Sequence, residues 1–236
     1  LPFLLAFTIA LPSYSVFAEE ENQAKETQTN ETNETQADET TANDTLSLAA
    51  ETAVLIDAAS GEILYYKDAD KKMYPASITK LMTILLALEN GKLTDEITFS
   101  HDAVYNIEPG SAHIAILEGE TLTLEQVLRA IILRSANEAS NGVAEYVDGS
   151  VEAFAKHMTE RAKELGCTNT NFVNANGLFD ENHYTTAHDM ALIARELLKH
   201  EEYRSMMSET DYEIPPTNLQ TETRYLHGQH QMMNPN

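Results

Sequence analysis

The sequence predicts an α+β protein, with an antiparallel sheet lobe beside an all-helical lobe. Two observations point there: β-rich runs open the folding part of the chain, and amphipathic helical patterns fill its middle. A third narrows it, since no internal repeat, P-loop or dinucleotide glycine pattern appears and the common nucleotide-binding folds drop out. At 236 residues and 42% hydrophobic, the chain can bury a core of one large domain or two lobes.

The elements follow in chain order. Residues 1–18, LPFLLAFTIALPSYSVFA, hold an apolar run from Leu4 to Leu11 and end on small residues at Val16 and Ala18, as a signal peptide does. The run is too short to cross about 30 Å of hydrocarbon. No start methionine or basic leader precedes it, so a chain cut at its beginning is expected. Residues 19–47 contain nine acids, one lysine and hardly an apolar side chain. Such a segment cannot offset its ordering entropy and reads as a disordered acidic linker. The folded domain is expected over 48–236.

TAVLIDAASGEILYYKDAD gives two β-rich runs around Ala58-Ala59-Ser60-Gly61, a hairpin pattern. A helix is expected from Ser77 to Glu89, and a short strand at Ile97 to Ser100. Two helices follow within residues 121–147, the first opened by a capping box of Thr123 and Gln126. The next, SVEAFAKHMTERAKELG, places Phe154, Met158, Ala162 and Leu165 on one face and stops at Gly166. TTAHDMALIARELLKH is a further helix, with His188 and Asp189 expected on its polar face.

The helix from Ser77 poses a chemical question. Between Ile78 and Leu88 only Thr79, Lys80 and Thr83 are polar, so it should be central and packed nearly all round. Lys80 shares its stripe with Ile84, Ala87 and Leu88. Burial penalises a charged amine and lowers its pKa, which makes a base. One turn earlier Ser77 offers a hydroxyl at the helix N-terminus, where free N–H groups favour negative charge. Serine, base and electropositive backbone are the parts of an activated nucleophile. The plainer alternative is a serine cap and a lysine that snorkels outward.

A second pair lies in RSANEAS, between two predicted helices. Ser135 and Asn137, two apart on a short connection, can face one pocket, the first passing a proton and the second bonding a substrate amide. Either could instead cap the following helix.

Together, YPASITKLMT and LRSANEAS resemble the serine D-alanyl-D-alanine carboxypeptidases, the low-molecular-mass penicillin-binding proteins, with their Ser-x-x-Lys and Ser-x-Asn motifs. AVLIDAASGEILYYKDADKKMYPAS, GSVEAFAKHMTERAKELGCTNTNFVNANGL and HYTTAHDMALIARELL extend the likeness over roughly residues 50–200. The resemblance implies a penicillin-binding, β-lactamase-like fold. It also implies a Ser77 nucleophile, a Lys80 base, a proton relay at Ser135 and a substrate-binding Asn137. The implied partners are a peptidoglycan stem peptide ending in D-Ala-D-Ala and β-lactams as covalent inhibitors, with no cofactor or metal. It implies an exported, cell-envelope location. Family members often attach to the membrane through a C-terminal amphipathic helix, so the resemblance leaves membrane attachment open, through a region that is not in this chain.

The family's Lys-Thr-Gly motif is absent, because none of the nine lysines precedes Thr-Gly or Ser-Gly. The expectation is therefore a C-terminally incomplete domain that lacks its last sheet strands, exposes a sheet edge and is inactive by itself. Two alternatives stand beside the carboxypeptidase: a class A β-lactamase, though no Glu-x-x-Leu-Asn string occurs, and a non-catalytic peptidoglycan- or penicillin-binding module.

Charge and residue counts exclude other classes. A formal net charge of -23 opposes nucleic acid and anionic membrane surfaces. Cys167 is the only cysteine, so the fold has no internal disulfide, and the residue reads as a small hydrophobe. Eight histidines raise the question of zinc, yet His227 and His230 flank a glycine without a third ligand, and His183 and His188 are scattered.

Overall fold

The computed structural model describes residues 4–8 and 48–228. Most of the 1–18 segment, the whole 19–47 linker and His230 lie outside the described residues. Among those described, no helix is long and apolar enough to cross a membrane.

Strands β1 (Leu4–Thr8), β2 (Ala53–Asp57) and β3 (Ile63–Lys67) form an antiparallel sheet in the order β1-β2-β3. The turn between β2 and β3 is held by Asp57, whose Oδ1 accepts from Ser60 N at 2.7 Å. β1 pairs along the outer side of β2, Leu4 opposite Asp57 and Thr8 opposite Ala53.

Ala76–Thr79 form a 3-10 turn that leads into α1 (Lys80–Asn90). The helix thus begins three residues later than expected, and no side chain caps the turn. β4 (Glu96–Thr98), α2 (His101–Tyr105) and β5 (Thr121–Thr123) follow, β4 pairing with β5. α3 (Leu124–Arg134) opens on the full capping box, Thr123 Oγ1 accepting from Gln126 N and Gln126 Oε1 from Thr123 N. α4 (Asn137–Asp148), α5 (Val151–Glu164), α6 (Ala187–Leu197) and α7 (Glu201–Met207) complete the helices, and β6 (Asp211–Ile214) pairs with β7 (Arg224–His227).

α1 is the axis of the helical lobe. Met82, Leu85, Leu86 and Ala87 are wholly buried against Leu128 of α3, Val143 of α4, Phe154 and Met158 of α5 and Ile193 of α6. Burial of side chains this size stabilises by roughly 1.5–3 kcal/mol each, which fixes α1 against its neighbours. α6 also carries Ala187 and Ala191, which pack with Val54 and Ile56 of the sheet and join the two lobes. Asp189 departs from its expected place on a polar face. It is buried, its Oδ2 accepting from Asn169 N at 2.9 Å and Thr170 Oγ1 at 2.7 Å, because the 167–170 turn covers that side of α6. Cys167 is buried there too, its thiol pushed up to about 12 by burial, and so inert as a nucleophile.

Candidate active site

Ser77 sits exposed in the turn ahead of α1, and Lys80 begins the helix with 4% of its surface exposed. Lys80 Nζ has three neighbours: Asn176 O at 2.6 Å, Asn137 Oδ1 at 2.7 Å and Ser77 Oγ at 3.2 Å. The two nearer oxygens can only accept. A neutral amine spends its two N–H bonds on them, and its lone pair is left directed at the Ser77 hydroxyl. Burial holds the amine down at about 7 against its ordinary 10.5, while the nearby Glu138 carboxyl pulls it up. The arrangement can withdraw a proton from Ser77 near neutral pH.

Each neighbour has a structural reason to be there. Asn137 is the first residue of α4, and its N–H donates to Ala112 O at 2.9 Å, which fixes the start of that helix. It does not act as a side-chain cap. Asn176 belongs to an asparagine-rich strap, residues 173–178, that lies across the start of α1. Asn174 Oδ1 accepts from Gly177 N at 2.7 Å, Asn176 Oδ1 from Leu178 N at 3.0 Å, and Thr83 Oγ1 donates to Ala175 O at 2.6 Å. Gly177 allows the close approach. It has φ +86°, and a Cβ there would lie 1.9 Å from Ala76 O. Ala76 itself has φ +47°, a costly conformation for a residue with a side chain, immediately before Ser77.

Below the strap, His183 is buried. Its Nδ1 accepts from Val173 N at 3.1 Å, so Nε2 carries the proton and donates to Thr79 Oγ1 at 2.8 Å. Burial pushes this imidazole down to about 4, keeping it neutral. The strap is thereby tied to Thr79, the residue immediately before Lys80.

Ser135 takes a different position. It ends α3 in the left-handed conformation, φ +55°, and its Oγ is buried without a hydrogen-bond partner among the described residues. Ser77, Lys80 and Asn137 are thus linked by hydrogen bonds, and the Ser135 side chain takes no part in that network. Sequence reasoning does not single out Asn176, Gly177 or Glu138, and it meets Thr79 and His183 only as a polar helix residue and a scattered histidine. The density of Asn and Gly in VNANGL marks a turn, but nothing local says which side chain its carbonyl meets. No group of three His, Cys, Asp or Glu side chains that could hold a metal gathers among the described residues.

Residues 36–234 match the family described as D-alanyl-D-alanine carboxypeptidase. The chain is 43% identical over 161 residues to D-alanyl-D-alanine carboxypeptidase DacF of Bacillus subtilis, an alignment covering 66% of this chain and 41% of that protein. It spans about two fifths of the length of the curated relatives it matches. Penicillin binding protein 5 from Haemophilus influenzae superposes with a TM-score of 0.71 at 30% identity, over 80% of this chain and 55% of that one. A mutant of Streptomyces K15 DD-transpeptidase superposes with a TM-score of 0.75 at 23% identity, over 80% and 78%, a likeness of fold.

Proposed function

The chain belongs to the D-alanyl-D-alanine carboxypeptidase family, and from that premise we propose that Ser77 is acylated by peptides ending in D-Ala-D-Ala. The observation that carries this reading is the Lys80 amine, buried, held near neutrality and left with one free direction, toward Ser77 Oγ. In the proposed reaction, Ser77 Oγ attacks the carbonyl between the two D-alanines and its proton passes to Lys80. The peptide bond breaks, and the departing D-alanine nitrogen receives a proton by way of Ser135. Water then hydrolyses the ester and regenerates Ser77. Asn137 bonds the substrate's peptide group, and the Ser77 N–H is one donor to the oxyanion. β-Lactams acylate the same serine and leave slowly.

The substrate on this reading is the peptidoglycan stem peptide, met outside the cytoplasm. The apolar leader and acidic spacer support an exported protein. By itself the 236-residue chain, whose sequence contains no Lys-Thr-Gly string, is proposed to be catalytically inactive, reacting at Ser77 only slowly and without turnover.

The test is intact-mass and peptide-mapping analysis after incubation with benzylpenicillin. The expected result is a slowly formed adduct on the peptide containing Ser77, absent from Ser77→Ala. Rapid stoichiometric labelling would contradict the slow reaction. No adduct at all, an adduct on another residue, or fast turnover of a chromogenic cephalosporin would overturn the proposed function.

A further inference from the structure

Two aromatic side chains stand out in water where the strap meets the Ser77 turn. Tyr74, three residues before Ser77, is 46% exposed, and Phe179, two residues after Gly177, is 71% exposed. Their rings meet edge to face, with centroids 4.9 Å apart and planes at 65°. The backbone beneath each ring is fixed. Met73 N donates to Thr185 O at 2.8 Å and Met73 O accepts from Thr185 N at 2.9 Å, while Pro75 on the other side of Tyr74 is buried. Leu178 N donates to Asn176 Oδ1 at 3.0 Å and Leu178 O accepts from Asn174 Nδ2 at 2.9 Å, so Phe179 leaves a closed strap. The contact of Gly177 with Ala76 O draws the two segments together immediately before the nucleophile. The charges next in sequence are engaged elsewhere: Lys72 Nζ lies 4.2 Å over the Tyr184 ring, and Asp180 Oδ1 accepts from Asn182 N at 2.7 Å. The pair therefore offers hydrocarbon, with the Tyr74 hydroxyl as its polar tip. Rings left in water forgo the stabilisation of burial, and rings carried on a fixed backbone lose little freedom when a ligand covers them.

We propose that Tyr74 and Phe179 contact an apolar substituent on the acyl side of the bond that Ser77 attacks, and so favour acyl donors that carry a bulky hydrocarbon group there. This inference rests on the reading of Ser77 as the acylated residue. The two ends of the scissile bond differ in chemistry, and that difference selects the occupant. The leaving end is a D-alanine with a free carboxylate, for which an aromatic pair with its nearby lysine engaged on another ring has no grip. The acyl end carries the side chains, and their hydrocarbon matches the exposed rings. The acyl end also stays at Ser77 from the first complex through the ester. A contact with it is thus made in the transition state, where it raises the second-order rate of acylation. An aryl group laid against Phe179 extends the edge-to-face pair to a third ring, an arrangement that favours its bearer by roughly threefold to tenfold.

The test compares two reagents on the 236-residue chain: benzylpenicillin, and 6-acetamidopenicillanic acid, which keeps the fused rings and the side-chain amide but lacks the phenyl group. Adduct on the peptide containing Ser77 is followed over time by mass, and each rate is divided by that reagent's own rate with hydroxide, which removes intrinsic reactivity. The unsubstituted chain is expected to favour benzylpenicillin by roughly threefold to tenfold. Phe179→Ala should remove that preference by slowing benzylpenicillin alone, Tyr74→Ala should weaken it, and Phe179→Tyr should keep it. A merely structural role would slow both reagents together. The substituted side chains are exposed, and thermal melts verify that the variants fold. No preference in the unsubstituted chain overturns the proposal and leaves Ser77 acylation standing, as does a Phe179→Ala variant that slows both reagents alike or neither. If neither reagent labels the unsubstituted chain, the proposed function fails and this inference falls with it.

Discussion

Replacing Lys80 with Met tests the state of the amine without requiring any catalysis. A lysine held at about 7 when folded and near its ordinary 10.5 when unfolded makes stability depend on pH. Between those values the unfolded chain binds more protons than the folded one, so unfolding free energy rises with pH over that window and falls as pH drops through 7. Each pH unit is worth about 1.4 kcal/mol well inside the window. Allowing for partial titration at the lower limit, the native chain gains roughly 2 kcal/mol from Lys80 between pH 7 and pH 9. Lys80→Met keeps most of the packing stem and loses the titration. It also strands Asn137 Oδ1 and Asn176 O, which lowers stability at every pH and leaves the slope as the informative quantity. The assay is urea unfolding of both chains at several pH values, compared as a difference so that Tyr203 and Cys167, both pushed up to about 12, cancel. A difference that widens with pH by roughly 2 kcal/mol is expected. Parallel curves would mean an amine that stays charged and solvated, and the Ser77–Lys80 reasoning would fail with it.

Three more perturbations address the surroundings. Gly177→Ala places a methyl 1.9 Å from Ala76 O at φ +86°, so the strap must lift. Destabilisation of a few kcal/mol, about 1 or more from backbone conformation alone, is expected in urea unfolding, and a change under 0.5 kcal/mol would refute the close approach. His183, held at about 4 instead of 6.5, makes the fold lose stability as pH falls from 6.5 through 4, by roughly 3 kcal/mol, since the unfolded chain takes up the proton first. His183→Gln should remove that component in acid-unfolding curves, and an unchanged acid limb would count against a buried neutral imidazole. Arg224 makes two bonds, 2.6 and 2.7 Å, to the wholly buried Glu120; burial opposes the Glu120 charge, but these and neighbouring bonds outweigh it and hold the carboxyl below its usual range. Arg224→Met should cost roughly 3–5 kcal/mol, and adding Glu120→Gln should recover part of that loss, because the penalty lies in the stranded carboxylate. A double variant no more stable than the single one would place the penalty elsewhere.

Much of the fold could be read from periodicity. The apolar spacing in α1, α3, α5 and α6 gives helices because each buries one face, and the Thr123–Gln126 pair marks the start of α3 because its two bonds are local in sequence. What went unread is non-local or short. β5, β6 and β7 have three or four residues each and are strands only by virtue of their partners. Asp189 looks like a polar-face residue on a helical wheel, and only the 167–170 turn folding over α6 makes it a buried hub.

The site divides along the same line. Ser77 and Lys80 are legible because three residues of one turn bring them together whatever the rest of the chain does. Their chemistry depends on groups that sequence separates by 57 and 96 residues, Asn137 and the carbonyl of Asn176, which occupy the two N–H bonds of the amine. Without them a buried lysine would be merely costly, and its lone pair would have no set direction. The carbonyl reaches Lys80 because Gly177 carries no Cβ, because two asparagine side chains close the strap, and because His183 fastens the strap to Thr79. None of these residues has to touch a substrate to matter. On the proposed reading they convert a spacing that arises readily by chance into an aimed base, which is why the motif alone is weak evidence and the same motif under this strap is a better one.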